Sequence, residues 1–118
     1  MTSCLYMKDK IILEKIVKYC DMLDETMAKY GNSRERFENE HIFQNSASMC
    51  LLQIGELCKY LTTEFRDSHK EVEWKGWCGL RDVFAHQYAQ VDIEENWNTL
   101  INDYPVLRDS IKKILEEE

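Results

Sequence analysis

The chain contains few residues that interrupt a helix: one proline and four glycines among 118 residues. Apolar residues recur at three- and four-residue spacing almost throughout, and no segment shows the alternation of a half-buried strand. No apolar run approaches membrane-spanning length, and the first residues lack the basic, apolar and small-residue order of a signal peptide. We therefore expect an all-α, up-and-down bundle of four to five helices, formed by residues 1–118 as a single domain, in a soluble cytoplasmic protein without a membrane partner.

The cysteines and the charges restrict the kind of partner. The five cysteines are odd in number, include no CxxC pair and lack the spacing of a disulfide framework, which favours a reducing cytoplasm. The formal net charge of -7, from 15 Lys and Arg against 22 Asp and Glu, repels phosphate backbones at long range. We therefore expect no DNA partner, and any contact with RNA must be local.

Common cofactor and metal motifs are missing from the sequence. The four glycines form neither a P-loop nor a dinucleotide fingerprint, and no strand-turn-helix elbow presents a nucleophile. The three histidines, His41, His69 and His86, are far apart in the sequence, and none belongs to an HExxH motif. We therefore expect neither a cofactor nor a metal.

The periodicity predicts where the helices run. A first helix should span about residues 8–29 and end at Gly31 and Asn32, and a short segment at 33–40 should lead to a long helix over 41–65. Gly55 and neighbouring small residues would let another helix approach the long helix closely. A polar connection at 66–73 should precede a third helix over about 74–90. Asp92 should cap a fourth helix, with Glu95 as its capping-box partner, and Pro105 should restart a last one.

The stretch "RDVFAHQY", residues 81–88, places Arg81, His86 and Tyr88 close together in the predicted third helix. At about 100° per residue, Arg81 and Tyr88 share one side, whereas His86 lies about 140° round from Arg81. One regular helix therefore does not direct Arg81 and His86 to the same point, although two copies meeting across a two-fold axis would. On spacing alone, the pattern of Arg81, four residues and His86 more commonly means a structural role, with an ion-pairing arginine and a partly buried histidine.

Several blocks of the sequence resemble the HepT-like proteins of the HEPN superfamily, the ribonuclease toxins of HepT and MNT toxin-antitoxin pairs. These blocks are "ILEKIVKYCDML", "QNSASMCLLQIGELCKYL", "WKGWCGLRDVFAHQYAQVD" and "YPVLRDSIKKIL". The third is the most specific, because it reproduces the family's arrangement of Arg, four residues, His, one residue and Tyr as Arg81, His86 and Tyr88.

The resemblance implies a homodimer of helical bundles that cleaves RNA without a metal. Arg81 and His86 would be the catalytic pair, and Asp82 would take the supporting polar position after the arginine, which is often Asn in the family. It also implies an MNT-type nucleotidyltransferase antitoxin that inactivates the toxin by adding AMP to Tyr88. An alternative is a catalytically silent HEPN module that binds a nucleotidyltransferase or a nucleotide, and a weaker one is a purely structural helical dimer.

Other polar and aromatic residues are secondary candidates. Lys70 and Lys75 are possible contacts for an RNA backbone, although Glu71 and Glu73 offset part of their field. The three tryptophans are expected to pack in the core or at an interface rather than to stack on bases. Three polar residues of the long helix would border a cleft or face water, and water is the commoner case: Gln44, Asn45 and Glu56.

Overall fold

The computed structural model describes residues 5–80 and 93–117, and all regular structure within these two ranges is helical. The elements are α1 (Met7–Tyr30), α2 (Arg34–Asn39), α3 (His41–Cys58), α4 (Thr63–Ser68), α5 (Trp74–Cys78), α6 (Ile93–Asn98), a π-helix (Thr99–Asp103) and α7 (Tyr104–Glu116). The expected all-α bundle is confirmed, with more and shorter helices than the four to five that the periodicity predicts. Over the same two ranges, no helix is both long and apolar enough to cross a membrane.

Helix α1 forms because apolar residues repeat along one face, and it ends where glycine allows a turn. Its buried residues include the apolar series that the spacing predicts: Ile12, Leu13, Ile16, Cys20 and Leu23. Gly31 follows with φ of 80°, a left-handed conformation that glycine adopts at low cost, and its N–H donates to the Met27 carbonyl. The predicted end of the first helix is therefore confirmed.

Helices α1 and α3 lie antiparallel and form the centre of the bundle. At one end the rings of Tyr30 and Phe43 stack with centroids 4.8 Å apart, and at the other the Asp9 carboxylate contacts Thr62. The face that α3 turns to the core is the predicted one: Phe43, Ala47, Cys50, Leu51, Ile54 and Cys58 are buried. The buried apolar side chains of these two helices belong to the same cluster as those of α7.

The prediction of one helix over 41–65 is wrong, because α3 ends at Cys58 and α4 starts anew at Thr63. The buried carboxylate of Asp9 accepts hydrogen bonds from the Thr62 N–H at 2.8 Å and from the Thr62 hydroxyl at 2.7 Å. The Thr62 hydroxyl oxygen in turn accepts from the Phe65 N–H, which makes Thr62 the N-cap of α4. A contact between residues 53 positions apart thus sets a boundary that local periodicity does not show.

The prediction of a new helix at Pro105 is wrong in one respect. Pro105 does lie in the first turn of α7, but no turn separates α7 from α6. Proline has no N–H to donate to the carbonyl of Ile101, and the segment before it is a π-helix, in which the Tyr104 N–H donates to the Thr99 carbonyl, five residues back. Residues 93–116 therefore form one continuous helical rod.

Three further helix boundaries lie in the short stretch at 33–40 and on the two sides of the motif. The short stretch at 33–40 contains helix α2, capped by the Ser33 hydroxyl oxygen, which accepts from the Arg36 N–H. The helix predicted over 74–90 begins at Trp74, but α5 ends at Cys78 and Gly79 is a turn residue. The predicted cap at Asp92 lies outside the described residues, and α6 begins directly after it at Ile93.

Candidate functional site

The four residues singled out by the sequence, Arg81, Asp82, His86 and Tyr88, lie outside the described residues, in the range 81–92. The described structure contains the elements on both sides of this range. Helix α5 with Gly79 and Leu80 precedes it, and helix α6 follows it. Helices α5 and α6 are therefore the described elements that hold the two flanks of the site.

The preceding flank is anchored by a close approach between α5 and α3. A Cβ atom built on Gly55 would lie 2.4 Å from the Trp77 carbonyl oxygen and 3.4 Å from Leu80 side-chain atoms, so any larger residue would push α5 away. This confirms the expectation that Gly55 lets another helix approach closely. The side chains of Trp74 and Trp77 are buried, which confirms their predicted packing role. Leu80, the last described residue before the motif, is thus held against the centre of the bundle.

Aromatic contacts tie α4 to α5. The rings of Phe65 and Trp74 meet edge to face with centroids 5.8 Å apart, and the ring of Phe65 also contacts that of His69 at 4.6 Å. The indole N–H of Trp74 donates to the His69 carbonyl at 2.8 Å. Since Asp9 fixes Thr62 at the start of α4, this corner is held by both packing and hydrogen bonds.

The same corner contains a pocket of about 520 Å³, here called the Arg66 pocket. Its charged lining residues are Arg66, Lys70 and Lys75 against Asp67 and Glu73. Lys70 and Lys75, the possible RNA contacts in the sequence, lie together at this surface. The sequence does not point to Arg66, because this residue follows the predicted long helix and falls in a polar connection. The spacing of four between Arg66 and Lys70 was the available signal.

The Arg66 side chain is incompletely satisfied. Its Nε atom is buried and has no hydrogen-bond partner among the described residues. One terminal nitrogen lies 3.7 Å from the Cys78 sulfur, a weak acceptor, and no carboxylate of the described ranges forms an ion pair with it. A guanidinium in this state is available to bind an anion.

The following flank is anchored by α6. Asn96 is buried, and Trp97 is half-buried, with its ring centroid 5.4 Å from that of Phe37 in α2. The packing role predicted for the third tryptophan is therefore confirmed as well.

Of the polar residues on α3, the Gln44 amide donates to the Glu38 carbonyl and Asn45 is exposed. Glu56 forms an ion pair with Lys59 at 3.3 Å.

Metal-binding groups do not cluster in the described ranges, where no three His, Cys, Asp or Glu side chains converge. His69 has a different neighbour: its Nδ1 lies 3.8 Å from the Glu71 carboxylate. Cys58 is fully buried, and burial raises the pKa of its thiol, with a further contribution from Cys78.

The profile of the family described as Ribonuclease HepT-like matches residues 11–114, which include both flanks and the whole range 81–92. The chain belongs to this family. Membership in the HepT-like family confirms the resemblance drawn from the sequence blocks, and it supports ribonuclease activity at the level of the family.

Curated relatives of this HepT-like chain carry names of the same kind. A protein named "Putative RNase" from Caldanaerobacter subterraneus subsp. tengcongensis is 35% identical over 106 residues, which cover 90% of this chain and 93% of that protein. A protein with the same kind of name from Methanocaldococcus jannaschii is 28% identical, over 92% of this chain and 88% of the relative. A "Probable ribonuclease HepT" from Thermococcus cleftensis is 33% identical, over 52% of this chain and 56% of its own length. No solved structure gives a significant match to the HepT-like chain.

Proposed function

We propose that this chain is a metal-independent endoribonuclease, the toxin of a type VII-like HepT/MNT toxin-antitoxin system, acting as a homodimer. The observation that carries the proposal is the family match over 11–114 together with the series Arg81, His86 and Tyr88 inside it. The flanks add support, because α5 and α6 are both held on the bundle and leave this series between two rigid supports.

The proposed reaction uses the RNA as its own nucleophile. A base removes the proton from the 2'-hydroxyl, whose oxygen forms a bond to the adjacent phosphorus, while the bond from phosphorus to the 5'-oxygen breaks and that oxygen receives a proton. The products are a 2',3'-cyclic phosphate and a 5'-hydroxyl. No oxidant, metal or second substrate is needed for the atoms and charges to balance.

The residue types fit these steps. Imidazole titrates near neutrality when unperturbed, so the two His86 side chains of a dimer would supply one base and one acid. The planar guanidinium of Arg81 binds two phosphoryl oxygens at once and stabilises the charge that develops on them. Asp82 takes the supporting polar position. We assign the catalytic roles to Arg81 and His86 on this basis.

The motif tyrosine provides the proposed means of inactivation. An MNT-type nucleotidyltransferase would transfer AMP to the Tyr88 hydroxyl, and the new phosphodiester would carry negative charge and bulk on nearly the same helical side as Arg81. Substrate phosphate would then be repelled and excluded. Co-expression with an MNT-type nucleotidyltransferase, followed by peptide mass spectrometry, tests this, because modification at another residue would refute the role of Tyr88.

Incubation of the purified protein with RNA in excess chelator tests the nuclease itself. We expect cleavage that leaves 2',3'-cyclic phosphate ends, with a loss of activity of about 10²- to 10⁴-fold for His86→Ala, since general acid-base catalysis contributes that much. If the wild-type protein cleaves RNA no faster than His86→Ala, the proposal that the chain is a ribonuclease is wrong.

A second candidate is a catalytically silent HEPN module that binds a nucleotidyltransferase or a nucleotide. The aspartate at position 82 favours it, because it adds negative charge beside the place proposed for the phosphate, and so does the net charge of -7. Asp82→Asn discriminates the two. Stronger cleavage by this variant supports a nuclease that the aspartate restrains, whereas no cleavage by either protein supports the silent module.

A further inference from the structure

We propose that the Arg66 pocket is an RNA-phosphate subsite, which binds a backbone phosphate one to three nucleotides from the cleaved bond; this rests on the proposed function. The pocket combines a half-buried arginine with two exposed lysines, Lys70 and Lys75. Because the chain as a whole carries a charge of -7, contact with RNA needs a local group of cations, and this pocket provides one.

The position of the pocket along the chain links it to the motif. Cys78 lines the pocket and precedes Arg81 by three residues, so the two Cα atoms are at most about 11 Å apart whatever the conformation between them. At a rise of about 3.4 Å per nucleotide in a stacked strand, that distance covers about three nucleotides. An RNA strand with one phosphate at Arg81 therefore has other phosphates within reach of the pocket.

Arg66 has the chemistry of a phosphate ligand. Its buried Nε lacks a partner among the described residues, and its terminal nitrogen has only the Cys78 sulfur at 3.7 Å. A buried donor without an acceptor lowers stability, and a phosphate oxygen would supply the missing acceptor. The planar guanidinium also allows two oxygens of one phosphate to be bound together.

The carboxylates nearby do not cancel this charge. Asp67 and Glu73 line the pocket against three cations, which leaves a local excess of one positive charge. Glu71, which the sequence places beside Lys70, contacts Nδ1 of His69 and is not part of the lining. The volume of about 520 Å³ lies in the range of small-ligand pockets, about 300–1,000 Å³, and suits a single nucleotide unit.

The support of the pocket is rigid, as a subsite requires. Trp74 in its wall is buried and held by the hydrogen bond to the His69 carbonyl, and Thr63 follows the N-cap that Asp9 fixes. A preformed wall of this kind reduces the entropy lost when a phosphate is bound. The pocket would therefore orient the strand and act as a binding element, while bond cleavage depends on the motif residues.

Binding of a fluorescein-labelled single-stranded RNA to the His86→Ala protein, followed by anisotropy at several salt concentrations, tests the subsite without cleavage. We expect Arg66→Gln, Lys70→Gln and Lys75→Gln each to raise Kd about three- to tenfold. Each lost phosphate contact should reduce the slope of log K against log salt by about 0.7. Lys18→Gln, which alters an exposed lysine of α1, is the matched control and should change neither quantity.

Two further variants separate binding from damage to the fold. Glu73→Gln removes an exposed carboxylate of the pocket and should tighten binding, an effect that loss of folding does not produce. Lys70 and Lys75 are exposed, so their double variant stays folded even if Arg66→Gln does not. An unchanged Kd and salt slope in that double variant would overturn the subsite, and so would a parent protein that binds no RNA.

The outcomes also distinguish this inference from the proposed nuclease function. RNA binding that depends on the pocket, in a wild-type protein that does not cleave, would overturn the nuclease and leave the subsite standing. If the wild type cleaves RNA but none of the pocket variants changes RNA binding, the subsite is overturned and the nuclease stands. Variants that weaken the binding of ATP but not of RNA would overturn the subsite in favour of a free nucleotide.

Discussion

Among single residues, three buried thiols are made less acidic by the fold. Burial raises the pKa of Cys20 to about 12, and it raises the pKa values of Cys50 and Cys58 as well. The thiolate is the nucleophile, so these three cysteines should react slowly with iodoacetamide at pH 8. Peptide mapping after labelling should find them unmodified in the native protein and modified in guanidinium. Fast native labelling of Cys58 would contradict its placement in the core.

Tyr104 links α7 to α1 through its hydroxyl, which lies 2.7 Å from the Asp24 carboxylate and 2.9 Å from the Cys20 carbonyl. The hydroxyl has one proton, so it donates to one of these acceptors at a time. Tyr104→Phe should lower the free energy of unfolding by about 1.5–3 kcal/mol, the range for a hydrogen bond to a charged group. Urea denaturation measures this, with Tyr60→Phe at an exposed tyrosine as control. Equal effects of the two substitutions would exclude a role for the Tyr104 hydroxyl.

Tyr104 should also make the free energy of unfolding decrease at alkaline pH. Burial, together with the hydrogen bond to Asp24, raises the pKa of Tyr104 above its ordinary value of 10.0. The folded state therefore favours the protonated hydroxyl, whose contribution is complete below pH 10 and is lost as the pH rises through the folded pKa. The free energy of unfolding of the wild type should fall above pH 10, and Tyr104→Phe should fall less steeply. Parallel curves would contradict the assignment.

At the scale of elements, the contact between α3 and α5 controls the approach to the motif. Gly55→Ala would place a Cβ 2.4 Å from the Trp77 carbonyl oxygen, so α5 and Leu80 must move. We expect a stability loss of about 1–3 kcal/mol, as for other overpacked sites, and a clear reduction of RNA cleavage. Thermal unfolding and the cleavage assay measure the two effects.

Gly76→Ala is the matched control for that substitution. Its Cβ would meet only the Glu73 side chain, at an ordinary 3.5 Å, and alanine favours the helix by up to about 1 kcal/mol. This variant should be as stable as the wild type or more so, with unchanged cleavage. If both alanine variants behave alike, the close approach at Gly55 does not position the motif.

Helix boundaries show how far local patterns reach. The apolar repeat of α1 and the glycine after it predicted Met7–Tyr30 within a residue at each end, because both signals are local. The end of α3 was mispredicted, since Leu61 and Phe65 continue the apolar spacing while Asp9 holds Thr62 out of the helix. The sequence analysis of apolar spacing also did not predict the π-helix at Thr99–Asp103, because its i to i−5 hydrogen bonding leaves no pattern of apolar residues to recognise.

At the scale of the whole molecule, the proposed composite site requires two chains. Sedimentation should give twice the 14.1 kDa of the chain at micromolar concentration. Because only the dimer would join two His86 side chains, specific activity should fall on dilution below the dimer dissociation constant. Activity strictly proportional to enzyme concentration in a monomeric sample would contradict the shared site.

Local patterns are enough to predict the helical class, the core faces of α1 and α3 and the family, because apolar periodicity and the series Arg81, His86 and Tyr88 are properties of neighbouring residues. Packing sets the break before α4, the identity of the segment that contacts Gly55 and the meeting of Arg66, Lys70 and Lys75 at one pocket. These features depend on which distant residues meet once α1, α3 and α5 are packed together. Burial and charge interactions join residues that are distant in the sequence, and the spacing of neighbouring residues does not show which of them meet.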